Sequence, residues 1–265
     1  MPELPDLAVF QQYFESTSLH QAIQRVRCHE PNLLVGTSPG GVGRWLSGHS
    51  FSGTDRIGKN FFAEMDDGRF LRFHFGMTGY FEYFKGLDEE PEYSQFRIHF
   101  DNGYHLALVM PRKLGEIQPL ESMEDYAAEA ELGPDVFKDS FGFSQFKDIL
   151  VDRRAMIKSS MMDQSVMAGL GNVYNDEILY QARIHPRAQI PDLSEKELGK
   201  IYHAMRRVIN KAIEVDAQPE RMPENWLLPH REPGAQCPRC RGEIERIDVS
   251  GRTGYYCPSC QKMPD

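Results

Sequence analysis

The chain begins Met1-Pro2-Glu3-Leu4-Pro5-Asp6, so a proline follows the initiator methionine and carboxylates lie beside it. Once that methionine is removed, Pro2 presents a secondary amine, which can attack an electrophilic sugar carbon and form an iminium. An iminium is positively charged without needing a proton, and this makes it an electron sink for a later elimination. Pro2 is therefore a candidate covalent nucleophile.

The same residues also suit the start of a helix. Proline is favoured at the first helical position, and carboxylates are stabilised by the positive end of the helix dipole. The hexapeptide alone does not decide between these two interpretations. The choice between a nucleophile and a helix start therefore depends on the other motifs of the chain.

Four of the five cysteines have metal-ligand spacing. Cys237, Cys240, Cys257 and Cys260 form Cys-x2-Cys-x16-Cys-x2-Cys, which is typical of a tetrahedral four-thiolate zinc site. Four protein ligands leave the metal no open position, so the zinc is expected to be structural. Disulfides are the alternative, and two Cys-x-x-Cys pairs in a chain interpreted as cytosolic disfavour them. Cys28 stands apart and is expected to be a small buried apolar residue.

A glycine-rich stretch precedes a predicted helix over residues 173–182. In Ala168-Gly169-Leu170-Gly171-Asn172 the glycines would let a phosphate approach backbone amides at the helix N-terminus, where the dipole favours an anion. The alternative is that Asn172 is only the N-cap of that helix. Both interpretations are compatible with the stretch.

Three short loops bring cations and apolar residues to turns. Lys59 precedes a predicted strand, and Met77 lies in the Gly-bracketed loop 74–79. Residues 111–115 form a third loop, with two cations followed by Leu114. Exposed apolar residues beside cations can wedge a base stack open and fill the space of an extruded base. Taken singly, each loop is more often ordinary turn chemistry.

The surrounding pattern predicts the elements that must position these residues. Apolar residues at helical spacing predict an N-terminal helix, and short aromatic-rich runs between residues 26 and 116 predict a β-sandwich or barrel with hairpins at 66–68 and 101–103. Leu132-Gly133-Pro134 indicates a domain boundary. Helices are predicted over 156–167, over 173–182 and from the capping box at Ser194, followed by a linker (217–236) and a hairpin (244–249 and 253–256).

Length and charge set limits on the function. The 265 residues suffice for two domains, and no run of about 18 apolar residues or secretory pattern occurs, so a cytosolic protein is expected. The formal net charge of −9 argues superficially against a nucleic-acid partner. Acidic residues are concentrated in 88–92 and 116–135, however, and arginines elsewhere, so phosphate can still be bound locally.

These stretches, in this order, resemble the formamidopyrimidine-DNA glycosylase and endonuclease VIII family along nearly the whole chain. The resemblance is carried by Pro2-Glu3-Leu4-Pro5, Gly58-Lys59, the Met77 loop, Pro111-Arg112-Lys113, Leu132-Gly133-Pro134, Gly169-Leu170-Gly171-Asn172-Val173-Tyr174 and Gly251-Arg252-Thr253. Leu4 favours the formamidopyrimidine branch, because the endonuclease VIII branch usually has Gly there.

The resemblance implies an α+β fold in three parts. Residues 1–132 would form a catalytic β-sandwich domain with an opening α-helix, 133–220 a helix-two-turn-helix DNA-binding domain, and 221–265 a linker and a β-hairpin zinc finger. It further implies one structural zinc ion and damaged double-stranded DNA as the partner. The protein would act as a monomer, away from membranes, in a bacterial-type cytoplasm and at the nucleoid.

The resemblance also implies residue roles in a bifunctional glycosylase and AP lyase of base-excision repair. Pro2 would attack C1′ of a flipped nucleotide, Glu3 would protonate the opening sugar, and β,δ-elimination would cut the strand on both sides. The family's catalytic positions fall on Pro2, Glu3 and Lys59. Its DNA-binding positions fall on Met77, Arg112, Lys113, Leu114, Asn172 and Arg252.

Three departures from the family pattern concern the substrate. Asp6 stands where the family commonly has Glu, Leu114 replaces a usual Phe, and Lys113 a usual Arg with a planar fork. The segment before Cys237 is short for a loop that caps a flipped oxidised purine. An oxidised pyrimidine, a formamidopyrimidine or an abasic site is therefore an alternative to 8-oxoguanine.

Two other functions remain as alternatives. One is an AP lyase with little base excision, and the other is a catalytically silent binder of damaged DNA. The retention of Pro2, Glu3 and Lys59 argues against the silent binder, and a bare structural zinc protein is a weaker alternative still.

Overall fold

A computed structural model describes residues 1–263. The α-helices are α1 (Leu4–Ser18), α2 (Pro39–Leu46), α3 (Met123–Glu129), α4 (Phe143–Asp148), α5 (Ile157–Met162), α6 (Asn172–Ala182) and α7 (Glu195–Glu214). The strands are β1 (Ile23–Cys28), β2 (Phe51–Ile57), β3 (Asn60–Met65), β4 (Phe70–His74), β5 (Tyr80–Phe84), β6 (Ser94–Phe100), β7 (His105–Val109), β8 (Glu116–Leu120), β9 (Glu245–Val249) and β10 (Arg252–Tyr256). No helix within 1–263 is long and apolar enough to cross a membrane.

The chain divides into two compact units. The first consists of residues 1–2 and 6–131, and the second consists of Glu3–Pro5 together with the chain from Leu132 onward. The three residues after Pro2 thus pack with the second unit, although they lie at the start of the chain. The sequence pattern gives no indication of this, because it depends on contacts between residues far apart along the chain.

The first unit contains two four-stranded antiparallel sheets, in the orders β1-β6-β7-β5 and β2-β3-β4-β8. Both sheets and α1 contribute to one aromatic core, in which the Phe81 ring lies 5.4 Å from Phe14, 5.4 Å from Phe61 and 5.1 Å from Phe73 between centroids. The predicted sandwich and both predicted hairpins are confirmed. Gly68 and Gly103 have φ near +85° and +81° in the hairpin turns, where other residues would be strained.

The opening helix begins at Leu4, so Pro2 and Glu3 lie before it. The interpretation of Pro2 as the first residue of a helix is therefore wrong. Leu7 and Phe14, two helical turns apart, are buried in the sandwich core and hold α1 to the sheets.

The second unit packs its helices around one apolar core. The predicted capping box is present on α7, where Ser194 accepts from the backbone N–H of Glu197 and the Glu197 carboxylate accepts from the N–H of Ser194. The predicted inner face of α7 is buried. Strands β9 and β10 pair antiparallel as predicted.

The helices differ from the prediction in two ways: α5 is shorter than predicted, and α2, α3 and α4 were not predicted. Helix α5 ends at Met162 instead of Met167, because the Asp163 carboxylate accepts hydrogen bonds from the N–H and hydroxyl of Ser165 and turns the chain. Helix α2 contains three glycines, which have low helix propensity. Its start is fixed by the Ser38 hydroxyl, which accepts from the N–H of Gly41.

Candidate functional site

Glu3 is buried at the N-terminus of α6. Its carboxylate accepts hydrogen bonds from the backbone N–H groups of Gly171 (2.9 Å), Val173 (2.9 Å) and Tyr174 (3.3 Å). These donors have no partner inside the helix, and the helix dipole favours a negative charge there. The residue that follows Pro2 is thereby fixed, at 2 % exposure, to the helix that carries Asn172.

The glycines before α6 make room for this contact. A Cβ at Gly171 would lie 2.2 Å from the Glu3 carboxyl carbon, and one at Gly169, whose φ is +116°, would lie 2.6 Å from the Leu4 side chain. The N–H of Leu4 also donates to the carbonyl of Gly169 at 3.1 Å. The glycine motif is therefore required to seat the N-terminal residues of the chain.

Asn172 is the first residue of α6, and its N-cap is Gly171. The alternative reading of Asn172 as the N-cap is therefore wrong. Its amide Nδ2 donates to the carbonyl of Thr253 at 2.7 Å, which joins the start of α6 to strand β10. An amide carries two N–H donors, so one remains for another acceptor, and the buried Oδ1 has no partner within residues 1–263.

The four predicted cysteine ligands are brought together. All four sulfur atoms lie within 4.8 Å of one another, with Sγ–Sγ distances of 3.9 Å between Cys237 and Cys260 and 3.5 Å between Cys240 and Cys257. A tetrahedron with zinc–sulfur bonds of about 2.3 Å has sulfur–sulfur edges of about 3.8 Å. The residues therefore fit one zinc ion. Cys28 lies apart on β1, half-buried against the sandwich core.

The zinc hairpin carries Arg252 at the start of β10, directly after the turn at Ser250 and Gly251, both with positive φ. Arg252 is exposed, and its guanidinium has no ion pair within residues 1–263. Thr253, the next residue, is the one that accepts from Asn172. A phosphate held by Arg252 would thus meet a hairpin that is hydrogen-bonded to α6.

A buried ionic cluster that the sequence analysis missed joins the same two elements. Asp176 on α6 is fully buried, and its Oδ1 lies 2.6 Å from Lys158 Nζ, also fully buried. Its Oδ2 accepts from Arg231 Nε at 2.9 Å and from the N–H of Tyr255 at 3.0 Å. Burial lowers the pKa of Lys158, and the Asp176 charge opposes that effect. A Cβ at Gly254 would lie 2.2 Å from Lys158 Nζ, so this position needs glycine.

Asp176→Asn is expected to destabilise the protein strongly. The substitution leaves the buried ammonium of Lys158 without its counter-charge, and breaking a buried ion pair from one side costs about 3–5 kcal/mol. Equilibrium urea unfolding measures this loss. Asp192→Asn, at an exposed position, is the control and should change the unfolding free energy by less than about 0.5 kcal/mol. Equal effects of the two variants would contradict the assignment.

Glu177, the next residue, attaches α6 to the linker. Its Oε2 accepts from the backbone N–H of Leu228 at 2.7 Å, and the side chain of Gln181 donates to its Oε1. Burial raises the pKa of Glu177 to about 7, although both hydrogen bonds act to lower it. The folded protein therefore holds a proton on Glu177 in a pH range where the unfolded chain does not.

This proton predicts a pH dependence of stability. The folded pKa is raised, so the stabilisation is complete below the unfolded pKa of about 4.5 and is lost as the pH rises through about 7. The difference corresponds to about 3 kcal/mol. Urea unfolding between pH 4.5 and 8 should show wild-type stability falling relative to Glu177→Gln, which has no proton to lose. Parallel curves for the two proteins would contradict this.

In the first unit, loop 74–79 and loop 111–115, which are predicted to meet a base stack, contact each other. Gly76 lies against the backbone of Leu114, since a Cβ there would be 2.6 Å from the Leu114 carbonyl. Met77 and Leu114 are exposed by 39 % and 53 %, although both are large apolar residues. Burial lowers the pKa of His74, and its Nδ1 lies 3.3 Å from the N–H of Gly76 as a neutral acceptor. The two apolar tips thus share one surface.

The remaining predicted cations differ in their surroundings. Arg112 is exposed, and Lys113, with φ +50°, forms an ion pair with Glu30 at 2.8 Å. Lys59 is buried, at 8 % exposure, in the turn between β2 and β3, next to Gly58 with φ +60°. A buried lysine in a tight turn is held in one place, unlike a solvated lysine at the edge of a strand.

Three family models match the chain. Residues 1–117 match the formamidopyrimidine-DNA glycosylase N-terminal domain, 132–223 the formamidopyrimidine-DNA glycosylase H2TH domain, and 236–262 the zinc finger found in FPG and IleRS. Together with the sulfur geometry, the last match shows that Cys237, Cys240, Cys257 and Cys260 belong to a zinc finger with one structural zinc.

Relatives match along nearly the whole chain. The formamidopyrimidine-DNA glycosylase of Arabidopsis thaliana is 32 % identical over 99 % of this chain and 71 % of its own length. That of Protochlamydia amoebophila is 30 % identical over 99 % of this chain and all of its own. The solved Lactococcus lactis formamidopyrimidine-DNA glycosylase, non-covalently bound to DNA containing an AP site, has a TM-score of 0.89 at 25 % identity and covers 98 % of this chain and 100 % of that one.

Proposed function

The chain belongs to the formamidopyrimidine-DNA glycosylase family, and we propose that it excises oxidised bases from DNA through an N-terminal proline Schiff base followed by β,δ-elimination. As a member it is a DNA glycosylase of base-excision repair with AP lyase activity. The observation that best supports the chemistry is the Glu3 carboxylate, held by three N–H groups at the start of α6. A precisely held carboxylate beside Pro2 is what proton transfer at the attacked sugar requires.

The proposed reaction needs two proton transfers, and Glu3 is the residue placed to make them. When the Pro2 nitrogen bonds to C1′ and the base departs, the nitrogen must lose its proton before an iminium can form. The ring oxygen O4′ must gain a proton before the C1′–O4′ bond can break. We assign both transfers to Glu3, which accepts the first proton and donates it to O4′. The iminium then acidifies the C2′ proton, and β-elimination followed by δ-elimination releases the phosphates on both sides.

We assign phosphate binding to three residues, of which two are cations and one is an amide donor. Asn172 has an N–H left over from its bond to Thr253, Arg252 is exposed without an ion pair in the described chain, and Lys59 is fixed in a turn. Charge-assisted hydrogen bonds from such groups to phosphate are stronger than neutral ones. Because Asn172 and Arg252 are linked through Thr253, their positions would be set jointly by the zinc finger and α6.

The space left by the extruded nucleotide is assigned to the two touching loops. Met77 and Leu114 present the apolar surface, and Arg112 and Lys113 flank it. The ion pair of Lys113 with Glu30 would have to open for this lysine to meet DNA, so we expect Arg112 to contribute more. The aliphatic Leu114 stacks less well than an aromatic ring, which favours easily extruded nucleotides.

For substrates we propose formamidopyrimidines, oxidised pyrimidines and abasic sites ahead of 8-oxoguanine. The linker before Cys237 contains two short 3-10 turns, at Pro219–Arg221 and Leu228–His230, and the second is attached to Glu177. A segment so attached has little free length to cover a flipped purine.

We propose the same three-part division as the sequence indicates, 1–132, 133–220 and 221–265, and a monomer acting on damaged double-stranded DNA at the nucleoid of the cytoplasm.

The proposal is tested with zinc-loaded protein that lacks Met1, on duplexes carrying a formamidopyrimidine, an oxidised pyrimidine, 8-oxoguanine or an abasic site. We expect cleavage with phosphate at both new ends, fastest at the abasic site and slowest at 8-oxoguanine. Cleavage of the abasic duplex alone would favour the lyase without base excision. Tight binding without any cleavage would favour the silent damage binder and overturn the proposal.

A further inference from the structure

The outward face of the sheet β1-β6-β7-β5 carries a row of cations. Alternate residues of β1 and β6, such as Val26 and Ile98, pack towards the sandwich core. The residues between them are therefore on the opposite face, where Arg25, Arg27, Arg97 and His99 line a cavity of about 450 Å³ together with Val26 and Leu87. No residue assigned to the DNA site lines this cavity.

The strand register places two of the arginines directly opposite each other. Arg27 pairs with Arg97 and Arg25 pairs with His99 across β1 and β6. Like charges at directly opposite positions of a sheet repel each other and are destabilising. The arrangement in a chain of net charge −9 therefore calls for a negative charge between the strands.

The protein supplies only part of that charge. The carboxylate of Glu90 forms an ion pair with Arg97, and it lies 3.6 Å from His29. Arg25 and Arg27 are exposed and have no ion pair within residues 1–263. Three guanidinium groups thus line the cavity, and one of them, that of Arg97, is already paired with a carboxylate.

The pKa of His99, which lines the cavity, is affected by the positive charge around it. The pKa of His99 is lowered by burial and further by the charges of Arg25 and Arg97. Its Nδ1 lies 3.2 Å from Nδ1 of His105, so its Nε2 is the ring nitrogen left for a ligand. When His105 is the donor in that contact, a neutral His99 can donate from Nε2 to an anion without adding to the repulsion between the cations.

We propose that this cavity is a binding site for a compact phosphorylated small molecule. Arginine forks bind phosphate oxygens in pairs. The exposed Arg27 presents one such fork, opposite Arg97, whose Nη1 is already paired with Glu90. Arg25 and His99 lie one strand repeat further along, about 7 Å away, within reach of a second phosphate. The volume is within the range of small-molecule sites, and Leu87 offers an apolar wall.

The acidic edge of the cavity argues against a nucleic acid as the ligand. Leu87 belongs to the 3-10 turn Leu87–Glu89, whose Asp88 and Glu89 are exposed, and Glu90 follows. An extended polyanion that crossed the cavity would have to pass these carboxylates. A compact ligand with one or two phosphates can remain among the arginines.

Isothermal titration calorimetry of the full zinc-loaded chain with inorganic pyrophosphate tests the proposal. We expect saturable binding to the wild type and a loss of about tenfold per arginine in Arg25→Gln/Arg27→Gln, since each change removes a charge-assisted hydrogen bond. Arg44→Gln/Arg154→Gln removes the same charge from exposed positions outside the cavity and should bind like the wild type. Movement of the His99 ring resonances on titration locates the site.

Three results would overturn the proposal. The first is no binding of pyrophosphate at millimolar concentration, and the second is equal binding of pyrophosphate by the two double variants. The third is a cavity variant that loses affinity for undamaged duplex DNA while its affinity for pyrophosphate is unchanged. The last result would assign the arginines to a nucleic acid. Because both arginines are exposed and Arg27 lies opposite Arg97, the cavity variant should be at least as resistant to urea as the wild type. None of these outcomes depends on glycosylase activity, so the site and the proposed function can fail separately.

Discussion

Glu3→Gln is expected to reduce base excision and strand cleavage by about 10²–10⁴-fold, the range associated with removing a general acid–base group. The amide cannot carry the proton from the Pro2 nitrogen to O4′. It also presents an NH2 group to a pocket of N–H donors, because Gly171, Val173 and Tyr174 all donate to the present carboxylate. Single-turnover cleavage of an abasic duplex measures the effect.

Binding separates the chemical loss from a structural one. A duplex with a tetrahydrofuran lesion has no C1′ hydroxyl and cannot form an iminium, so its affinity reports only on the assembled site. We expect Glu3→Gln to bind it within about tenfold of the wild type, because Asn172 and Arg252 remain. Glu15→Gln, a change at an exposed position of α1, is the matched control and should cleave normally. Cleavage by Glu3→Gln within threefold of the wild type would refute the assigned role.

Cys257→Ser is expected to abolish zinc binding and with it most of the affinity for DNA. Structural zinc contributes about 10–16 kcal/mol in small zinc-binding folds, far more than a five-residue strand pair supplies. Without the metal, β9 and β10 should lose their structure, and Arg252 would be displaced together with Thr253, the partner of Asn172. We expect the dissociation constant for tetrahydrofuran duplex to rise by about 100-fold or more, the equivalent of roughly two lost phosphate contacts.

Cys28→Ser is the matched control for the zinc prediction. Cys28 lies on β1, and it is outside the sulfur cluster, so this variant should retain one zinc per chain and wild-type affinity. Metal content by atomic emission and DNA affinity by fluorescence anisotropy are measured on the same preparations. A Cys257→Ser protein that binds DNA like the Cys28→Ser protein would contradict the proposed link between the zinc finger and phosphate binding.

The sequence predicted elements whose determinants are local. The hairpins at Gly68 and Gly103, the capping box at Ser194 and the Cys-x2-Cys pairs all depend on residues within a few positions of one another. Helix α5 was predicted too long because its methionines continue the apolar spacing. The hydrogen bonds of Asp163 that end the helix are not visible in that spacing.

The types of the site residues could be predicted from the sequence, but which of them lie together in the fold could not. The Gly169–Gly171 motif predicts a close approach of a phosphate to backbone amides, but not the second role seen in the structure, where it receives Glu3 and Leu4 from the other end of the chain. The Lys158–Asp176–Arg231 cluster was missed because its members are 18 and 55 residues apart and each resembles an ordinary surface charge in sequence. Its one available signal was Gly254, a glycine inside a predicted strand, which often marks a close approach.

Borohydride trapping shows whether Pro2 is the covalent nucleophile. Zinc-loaded protein with a free Pro2 nitrogen, verified by mass, is incubated with an abasic-site duplex and reduced, and the adduct is mapped by mass spectrometry. We expect a stable covalent complex with DNA attached to Pro2, and none with protein that retains Met1. A Pro2 protein that cleaves the duplex without a trapped adduct, or an adduct on a lysine, would contradict it.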